Sequence, residues 1–150
     1  MPVLIPVGPY HPALHEPELF KVYVEGETIV DAEICLGYVH RGIEKLGESR
    51  SHVKNLFLAE RICGICGQHH VQCLAQAVER LEGIEVPERA EYIRVIMLEL
   101  ERIHSHMLLI GVAAHEMGYD TLFMHIWGVR EKVMDAAEVI TGNRKTYAII

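Results

Sequence analysis

The first part of the chain carries the period-two pattern of β-strands. Prolines interrupt residues 1–17, and residues 20–25 alternate between apolar and polar side chains. Gly26 separates that stretch from the largely apolar residues 28–34, a spacing that predicts a hairpin. A small antiparallel sheet is therefore expected within residues 1–34.

Beyond this region the apolar spacing becomes helical. A break at residues 63–67, rich in glycine and cysteine, precedes a helix that is predicted over residues 69–81 and ends at Gly83. Pro87 suits the first turn of a long helix, and a last helix is expected over residues 121–140. The long helix carries apolar residues three or four positions apart, at Ile93, Met97, Leu100, Ile103, Met107, Ile110 and Ala114.

These elements define the fold class and the domain organisation. The chain is predicted to be mainly α with a small amino-terminal antiparallel β-sheet, an α+β arrangement in which a long-helix bundle is fronted by the sheet. Its 150 residues suffice for one domain with a core, β-rich over residues 1–34 and helical over residues 42–142. No repeat or linker marks a boundary. The apolar residues 148–150 favour a continuation of the chain or a partner chain.

Charge and hydropathy narrow the range of partners. The net charge of −7 comes from interleaved acidic and basic residues, which offer no basic stripe for nucleic acid and no polybasic patch for lipid headgroups. No apolar run approaches the roughly 20 residues that cross a bilayer, and the first residues lack the features of a secretion signal. A cytoplasmic chain is expected.

The candidate chemistry lies between Arg61 and His70. Cys63 and Cys66 are three residues apart, so their thiolates can converge on one soft metal if the backbone turns between them, and Gly64 and Gly67 permit such a turn. Arg61 and the amino terminus of the following helix would both stabilise thiolate charge.

The spacing of this pair also fits other kinds of site. A zinc site would need two more ligands, from Cys73, His69 or His70, and a thioredoxin-type couple would need a preceding strand where the pattern predicts a helix. Buried packing of both cysteines is the remaining alternative. Cys35 and Cys73 stand alone in apolar segments and are interpreted as packing residues.

The motif Arg61-x-Cys63-x-x-Cys66-x-x-x-His70 resembles the amino-terminal metal motif of nickel-iron hydrogenase large subunits. Residues 8–17 and 37–45 are similar to the membrane-associated, complex I-related branch of that family, which includes the quinone-reactive 49 kDa subunit of complex I. The resemblance covers essentially the whole chain. Further similar motifs occur at residues 101–106, 127–131 and 141–144.

The resemblance implies a role for individual residues. Cys63 would be a terminal nickel thiolate, and Cys66 would bridge nickel and an iron that carries CO and CN ligands. His70 and Arg61 would border this cofactor, with His70 close to a ligating sulfur. Glu16 would be the carboxylate that relays protons, since a thiolate beside a metal can accept the proton of split hydrogen. Apart from the resemblance, Glu16 is a solvated residue in a proline-rich turn.

The resemblance also implies partners. Family members carry a second Cys-x-x-Cys near their carboxyl end, and none follows Tyr147, so the chain would supply half of a four-thiolate site. The carboxyl-terminal metal-ligand part is expected in a missing continuation or in another chain. Electrons would pass to an iron-sulfur small subunit, because this chain lacks cysteines for clusters. A complex I-like membrane arm would place the chain on the inner face of the cell membrane.

Three functions follow from these considerations. The leading hypothesis is a hydrogenase subunit that interconverts hydrogen with protons and electrons. A complex I-like oxidoreductase that is linked to quinone or to sulfur compounds is the second, and His11 and His15 would then lie near the quinone in the quinone-reactive relatives. The third is a structural zinc-binding or scaffold subunit without redox chemistry.

Overall fold

The computed structural model describes residues 1–150, which divide into two compact units, residues 1–43 and residues 44–150. The predicted fold class, mainly α with a small amino-terminal antiparallel sheet, is confirmed. The first unit contains three strands, β1 (Val3–Val7), β2 (Leu19–Glu25) and β3 (Thr28–Cys35). The helices are α1 (Ile43–Glu48), α2 (His52–Glu60), α3 (Gly67–Glu82), α4 (Glu88–Glu116) and α5 (Asp120–Thr141).

The strands form one antiparallel sheet in the order β1-β2-β3. Ile5 of β1 pairs with Val22 of β2, and Phe20 of β2 pairs with Ile34 of β3. Gly26, at a φ of 64°, occupies the two-residue turn between β2 and β3 in the left-handed region that favours glycine. The hairpin predicted at this glycine is therefore confirmed.

The helix ends follow local chain chemistry. α3 and α5 both stop at a glycine with positive φ, Gly83 at 67° and Gly142 at 82°, and the sequence analysis predicts the stop at Gly83. At its start α3 is two residues longer than predicted, because the backbone N–H groups of His69 and His70 both donate to the carbonyl oxygen of Cys66. Pro87 is the N-cap residue of α4 and thus precedes the first turn.

The buried face of α4 differs from the predicted apolar stripe. Met97 and Ala114 are fully buried, but Ile103 and Ile110 are 44% and 54% exposed. Three polar residues occupy part of the buried face, because each has a hydrogen-bond partner on a neighbouring helix. The guanidinium of Arg94, for example, donates to the Glu79 carboxylate of α3. These buried polar residues of α4 are Arg94, Glu101 and His104.

The core of the second unit is built around Met97 of α4, Ala137 of α5 and Tyr147, with Leu100 and Ile149 packed against it. The two long helices approach each other closely at Gly111, where an added Cβ would lie 2.3 Å from the Trp127 ring. No helix of this chain has both the length and the apolar character that a membrane crossing requires.

Candidate metal centre

The two cysteines lie in the loop that joins α2 to α3. α2 ends at Glu60, and α3 begins at Gly67 with Cys66 at its N-cap. An added Cβ at Gly67 would lie 2.5 Å from the backbone carbonyl oxygen of Glu60, so only glycine permits this close approach of the two helices. Gly64 has open space around its Cα, and its backbone does not require glycine.

The thiols of Cys63 and Cys66 interact directly. The Cys63 sulfur accepts the backbone N–H groups of Ile65 and Cys66, each at 3.4 Å. Burial alone raises the pKa of the Cys63 thiol, but hydrogen bonds from the Cys66 thiol and from these two N–H groups outweigh it and lower its pKa below the usual value. Burial and the hydrogen bond to Cys63 raise the pKa of the Cys66 thiol.

The arrangement suits two soft ligands to one metal. Both cysteines are half-buried and free of disulfides, and the hydrogen bonds that the Cys63 sulfur accepts lower the pKa of that thiol and so favour the thiolate, the form that binds metal. No group of three or more His, Cys, Asp or Glu that could hold an ion is formed by the chain. The two thiols would therefore fit two positions of a thiolate site, and these residues do not form a closed zinc site of four ligands.

A buried carboxylate stands on the α2 side of the loop. Glu60, 1% exposed, accepts the backbone N–H of Ala148 at 2.7 Å through Oε1 and the guanidinium of Arg61 at 3.2 Å through Oε2. A buried carboxylate is retained where such donors compensate for its lost hydration. Glu60 thereby ties the end of α2 to a segment 88 residues further along the chain.

A second buried carboxylate stands on the α3 side. Glu101 of α4, 2% exposed, accepts the backbone N–H groups of Gln68 at 3.0 Å and His69 at 3.1 Å. Its Oε2 also lies 2.7 Å from Nδ1 of the His69 ring. Both flanks of the cysteine loop are thus fixed by acidic side chains that are inaccessible to water.

The segment of residues 145–149 packs over the same loop. The Lys145 ammonium donates to the carbonyl oxygen of Ile65 at 3.5 Å, and the Gln68 side-chain amide donates to the carbonyl oxygen of Ile149 at 2.8 Å. Thr146 and Ala148 both have a φ of 51°, which places their backbone in the left-handed region on either side of the buried Tyr147. The loop is therefore anchored by α2, α4 and this segment.

The remaining predicted site residues of the second unit lie near the loop. Arg61 is exposed, and its guanidinium donates to the carbonyl oxygen of Phe57 at 2.9 Å as well as to Glu60. His70 is half-buried in the first turn of α3, and its backbone N–H donates to the carbonyl oxygen of Cys66 at 3.3 Å. The histidine ring that contacts a carboxylate in this turn is that of His69, whose Nδ1 lies next to Glu101.

Glu16 lies in the first unit. It is exposed and, together with His11 and His15, lines a cavity of about 420 Å³ whose lining residues all lie between Pro9 and Pro17. Its proposed relay function stays a prediction. Cys35 is half-buried at the end of β3 and Cys73 is exposed on α3, so Cys73 is not the packed residue that its apolar surroundings suggest.

Two residues that support the loop carry little signal in the sequence. Glu60 and Glu101 are acidic residues within helical segments, where charged positions are usually solvated. The sequence points to Glu101 only because it is the first residue of one of the motifs that resemble hydrogenases, residues 101–106. Its contact with α3 bridges 33 residues and could not be inferred from spacing.

Comparison with known proteins defines the class. Residues 41–110, which include the cysteine loop and most of α4, match the family model described as nickel-dependent hydrogenase. The chain is homologous to subunits of membrane-bound hydrogenases and to complex I subunits of the 49 kDa type. The predicted resemblance is confirmed.

Particular relatives match almost the full chain. It is 52% identical to the membrane-bound hydrogenase subunit alpha of Pyrococcus furiosus, over 99% of this chain and 35% of the relative. It is 42% identical to an NADH-quinone oxidoreductase subunit of Carboxydothermus hydrogenoformans, over 99% of this chain and 40% of the relative.

A solved structure shows the same fold. The chain superposes with a TM-score of 0.87 and 31% identity on a chain of the membrane-bound sulfane sulfur reductase, an archaeal respiratory membrane complex, over 97% of this chain and 39% of that chain. The protein thus spans between about a third and two fifths of the length of these relatives.

Proposed function

We propose that this chain supplies two thiolate ligands, Cys63 and Cys66, to a nickel-iron centre that interconverts hydrogen with protons and electrons. One observation carries the proposal: two interacting, half-buried thiols with no third ligand lie inside the segment that matches the hydrogenase family model. Soft thiolates suit nickel, and an incomplete ligand set suits a centre that is shared with another segment.

Each candidate site residue of the chain would have its own role at the centre. When bound, the nickel-iron centre, with CO and CN on its iron, would supply the redox and Lewis-acid chemistry of hydrogen activation. Cys63 and Cys66 would hold it, and the N–H groups that bond the Cys63 sulfur would orient that ligand. Arg61 and His70 would border the centre, and the Glu16 carboxylate would carry protons away from it.

The proposal extends to the assembly. The chain would be the amino-terminal part of a large subunit, β-rich over residues 1–34 and helical over residues 42–142, with a second Cys-x-x-Cys supplied by a carboxyl-terminal part or another chain. Electrons would pass to an iron-sulfur small subunit. Its relatives are subunits of membrane-bound complexes, which supports a position against a complex I-like membrane arm. The chain would then lie at the inner face of the cell membrane.

An infrared spectrum of the natively purified assembly tests the proposal. An iron that carries CO and CN gives stretching bands in a region where protein does not absorb, so their presence would support a nickel-iron centre. Metal analysis of the same sample should find nickel. Fully matured material without these bands and without nickel would contradict the proposal, and bound zinc alone would favour a structural subunit.

A second candidate is an oxidoreductase linked to quinone or to sulfur compounds. The specific observation in its favour is the match to a sulfane sulfur reductase and to an NADH-quinone oxidoreductase over nearly the whole chain. The cavity that contains His11 and His15 would then be the place to test for a quinone headgroup. Turnover of quinone or polysulfide by an assembly without CO and CN bands would favour this candidate.

A further inference from the structure

The first turn of α3 is capped from outside its own segment. Cys66 occupies the N-cap position, but its side chain makes no capping hydrogen bond. The acceptor is instead the Glu101 carboxylate of α4, which receives the backbone N–H groups of Gln68 and His69. The Gln68 N–H is one of the donors that every helix leaves without an internal partner at its start, and the His69 N–H is shared between Glu101 and the carbonyl oxygen of Cys66, each at 3.1 Å.

A residue at an N-cap normally satisfies such donors with its own oxygen. Ser, Thr, Asp and Asn are preferred for that reason, whereas a cysteine sulfur is a weak acceptor. The side chain of Cys66 makes no such hydrogen bond, so the first N–H groups of α3 depend on another acceptor.

We propose that Glu101 is a positioning residue that caps α3 in place of residue 66 and thereby holds Cys66 with its thiol directed to the metal. This inference rests on the proposed function, because it takes Cys66 as a ligand. The burial of Glu101 keeps water from competing for the two N–H groups, and the His69 ring contacts the same carboxylate. The carboxylate also acts electrostatically on both thiols.

Two variants of Glu101 separate its role as a hydrogen-bond acceptor from the effect of its charge. Glu101→Ala removes both the acceptor oxygens and the charge. Glu101→Gln retains one acceptor oxygen and removes the charge. The matched control is Glu79→Gln, because the carboxylate of Glu79 on α3 binds Arg94 of α4 at 2.5 and 3.1 Å and joins the same two helices away from the cysteine loop.

The native assembly is probed by amide hydrogen exchange of the peptide covering residues 66–70, by metal analysis and by infrared spectroscopy. Glu101→Ala is expected to speed exchange of the Gln68 amide roughly tenfold, as loss of a cap implies, and to lower the bound metal. The His69 amide should change less, because it keeps the hydrogen bond to the carbonyl oxygen of Cys66. Glu101→Gln should keep more metal but move the CO and CN bands to higher wavenumber, because a nearby negative charge is lost. Glu79→Gln should leave exchange and bands unchanged.

A wild-type exchange rate at the Gln68 amide in Glu101→Ala would overturn capping by Glu101. Faster exchange together with wild-type metal content and wild-type bands would overturn the positioning role, as would Glu101→Gln bands that coincide with those of the wild type. If Glu101→Ala does not assemble, exchange, metal content and bands are compared between Glu101→Gln and the wild type. If the wild-type assembly itself has no such bands, the nickel-iron proposal fails, while exchange and total bound metal still decide the role of Glu101.

Discussion

His104 is a buried imidazole of α4 whose Nε2 lies 2.6 Å from the guanidinium of Arg130. Burial, followed by the charges of Lys145 and Arg130, lowers its pKa to about 4 from an ordinary value of 6.5. Between these two pH values the unfolded chain binds more protons than the folded chain. The folded state therefore keeps its full stability above about pH 6.5 and loses stability as the pH falls towards 4.

Replacing His104 with Gln should remove this pH dependence. The wild type is expected to lose on the order of 3 kcal/mol of unfolding free energy from this group between pH 7 and pH 4, and His104→Gln should lose that much less. Denaturant unfolding of the assembly at a series of pH values measures the difference. His125→Gln, an exposed position on α5, is the control and should keep the wild-type slope. Parallel pH profiles for His104→Gln and wild type would contradict the assignment.

The cysteines provide a second prediction at the scale of residues. Cys63→Ser and Cys66→Ser should each abolish nickel binding, because a hydroxyl is a hard and weakly acidic ligand for a soft metal site. Cys73→Ser is the matched control, since Cys73 is exposed on α3 and separate from the interacting pair. Nickel content by mass spectrometry checks all three. A Cys63→Ser assembly with full nickel would remove Cys63 from the ligand set.

At the scale of elements, the contact between α4 and α5 depends on a glycine, Gly111, which has no side chain. An added Cβ at Gly111 would lie 2.3 and 2.8 Å from two ring atoms of Trp127, and the Phe123 ring packs against that indole at a centroid distance of 4.5 Å and an interplanar angle of 38°. The guanidinium of Arg130 lies over the same ring at 5.7 Å. The indole is therefore confined by its neighbours and cannot move aside without disturbing the helix pair.

Gly111→Ala is accordingly expected to destabilise the chain, by about 1–2 kcal/mol, because overpacking outweighs the better helix propensity of alanine. Gly128→Ala on α5 is the matched control, since an added Cβ there meets no atom within 4 Å. That variant should be stabilised by about 0.5–1 kcal/mol through helix propensity alone. Melting temperatures of the two variants should thus shift in opposite directions, and a rise for both would contradict the close approach at Gly111.

The ends of helices and the hairpin turn could be predicted where a single residue determines them. Gly83 and Gly142 stop their helices and Gly26 turns the hairpin through backbone freedom that belongs to one residue. The inner face of α4 was not predictable in the same way. The pattern placed Ile103 inside, whereas Glu101 is buried, because burial of a charge depends on a partner that spacing does not reveal.

At the scale of the whole molecule, the cysteine motif could be read from the sequence, but its support could not. Cys63 and Cys66 are three residues apart and signal a metal site locally. Their anchors come from contacts that span 33 residues for Glu101, 81 for Gln68 and 88 for Glu60. Such long-range contacts form only when the helices pack, so neither sequence motifs nor hydrophobic periodicity predicts them.

The segment that closes over the loop is itself held by the core, through Tyr147. This side chain is 3% exposed and packs with Met97 and Ala137, so it fastens residues 145–149 to both long helices. Tyr147→Ala is expected to cost about 3–5 kcal/mol of unfolding free energy, the usual penalty for truncating a buried aromatic ring.

The same variant should loosen the cysteine loop, because the contact between Glu60 and the Ala148 N–H depends on that segment. Denaturant unfolding gives the stability, and amide exchange of Ala148 reports the loop anchor. Tyr92→Ala, at a position of α4 that is 65% exposed, should stay within about 0.5 kcal/mol of wild type and leave that amide protected. A Tyr147→Ala variant that is destabilised but keeps Ala148 protected would show that Glu60 anchors the segment without the core, and that the loop is fixed locally.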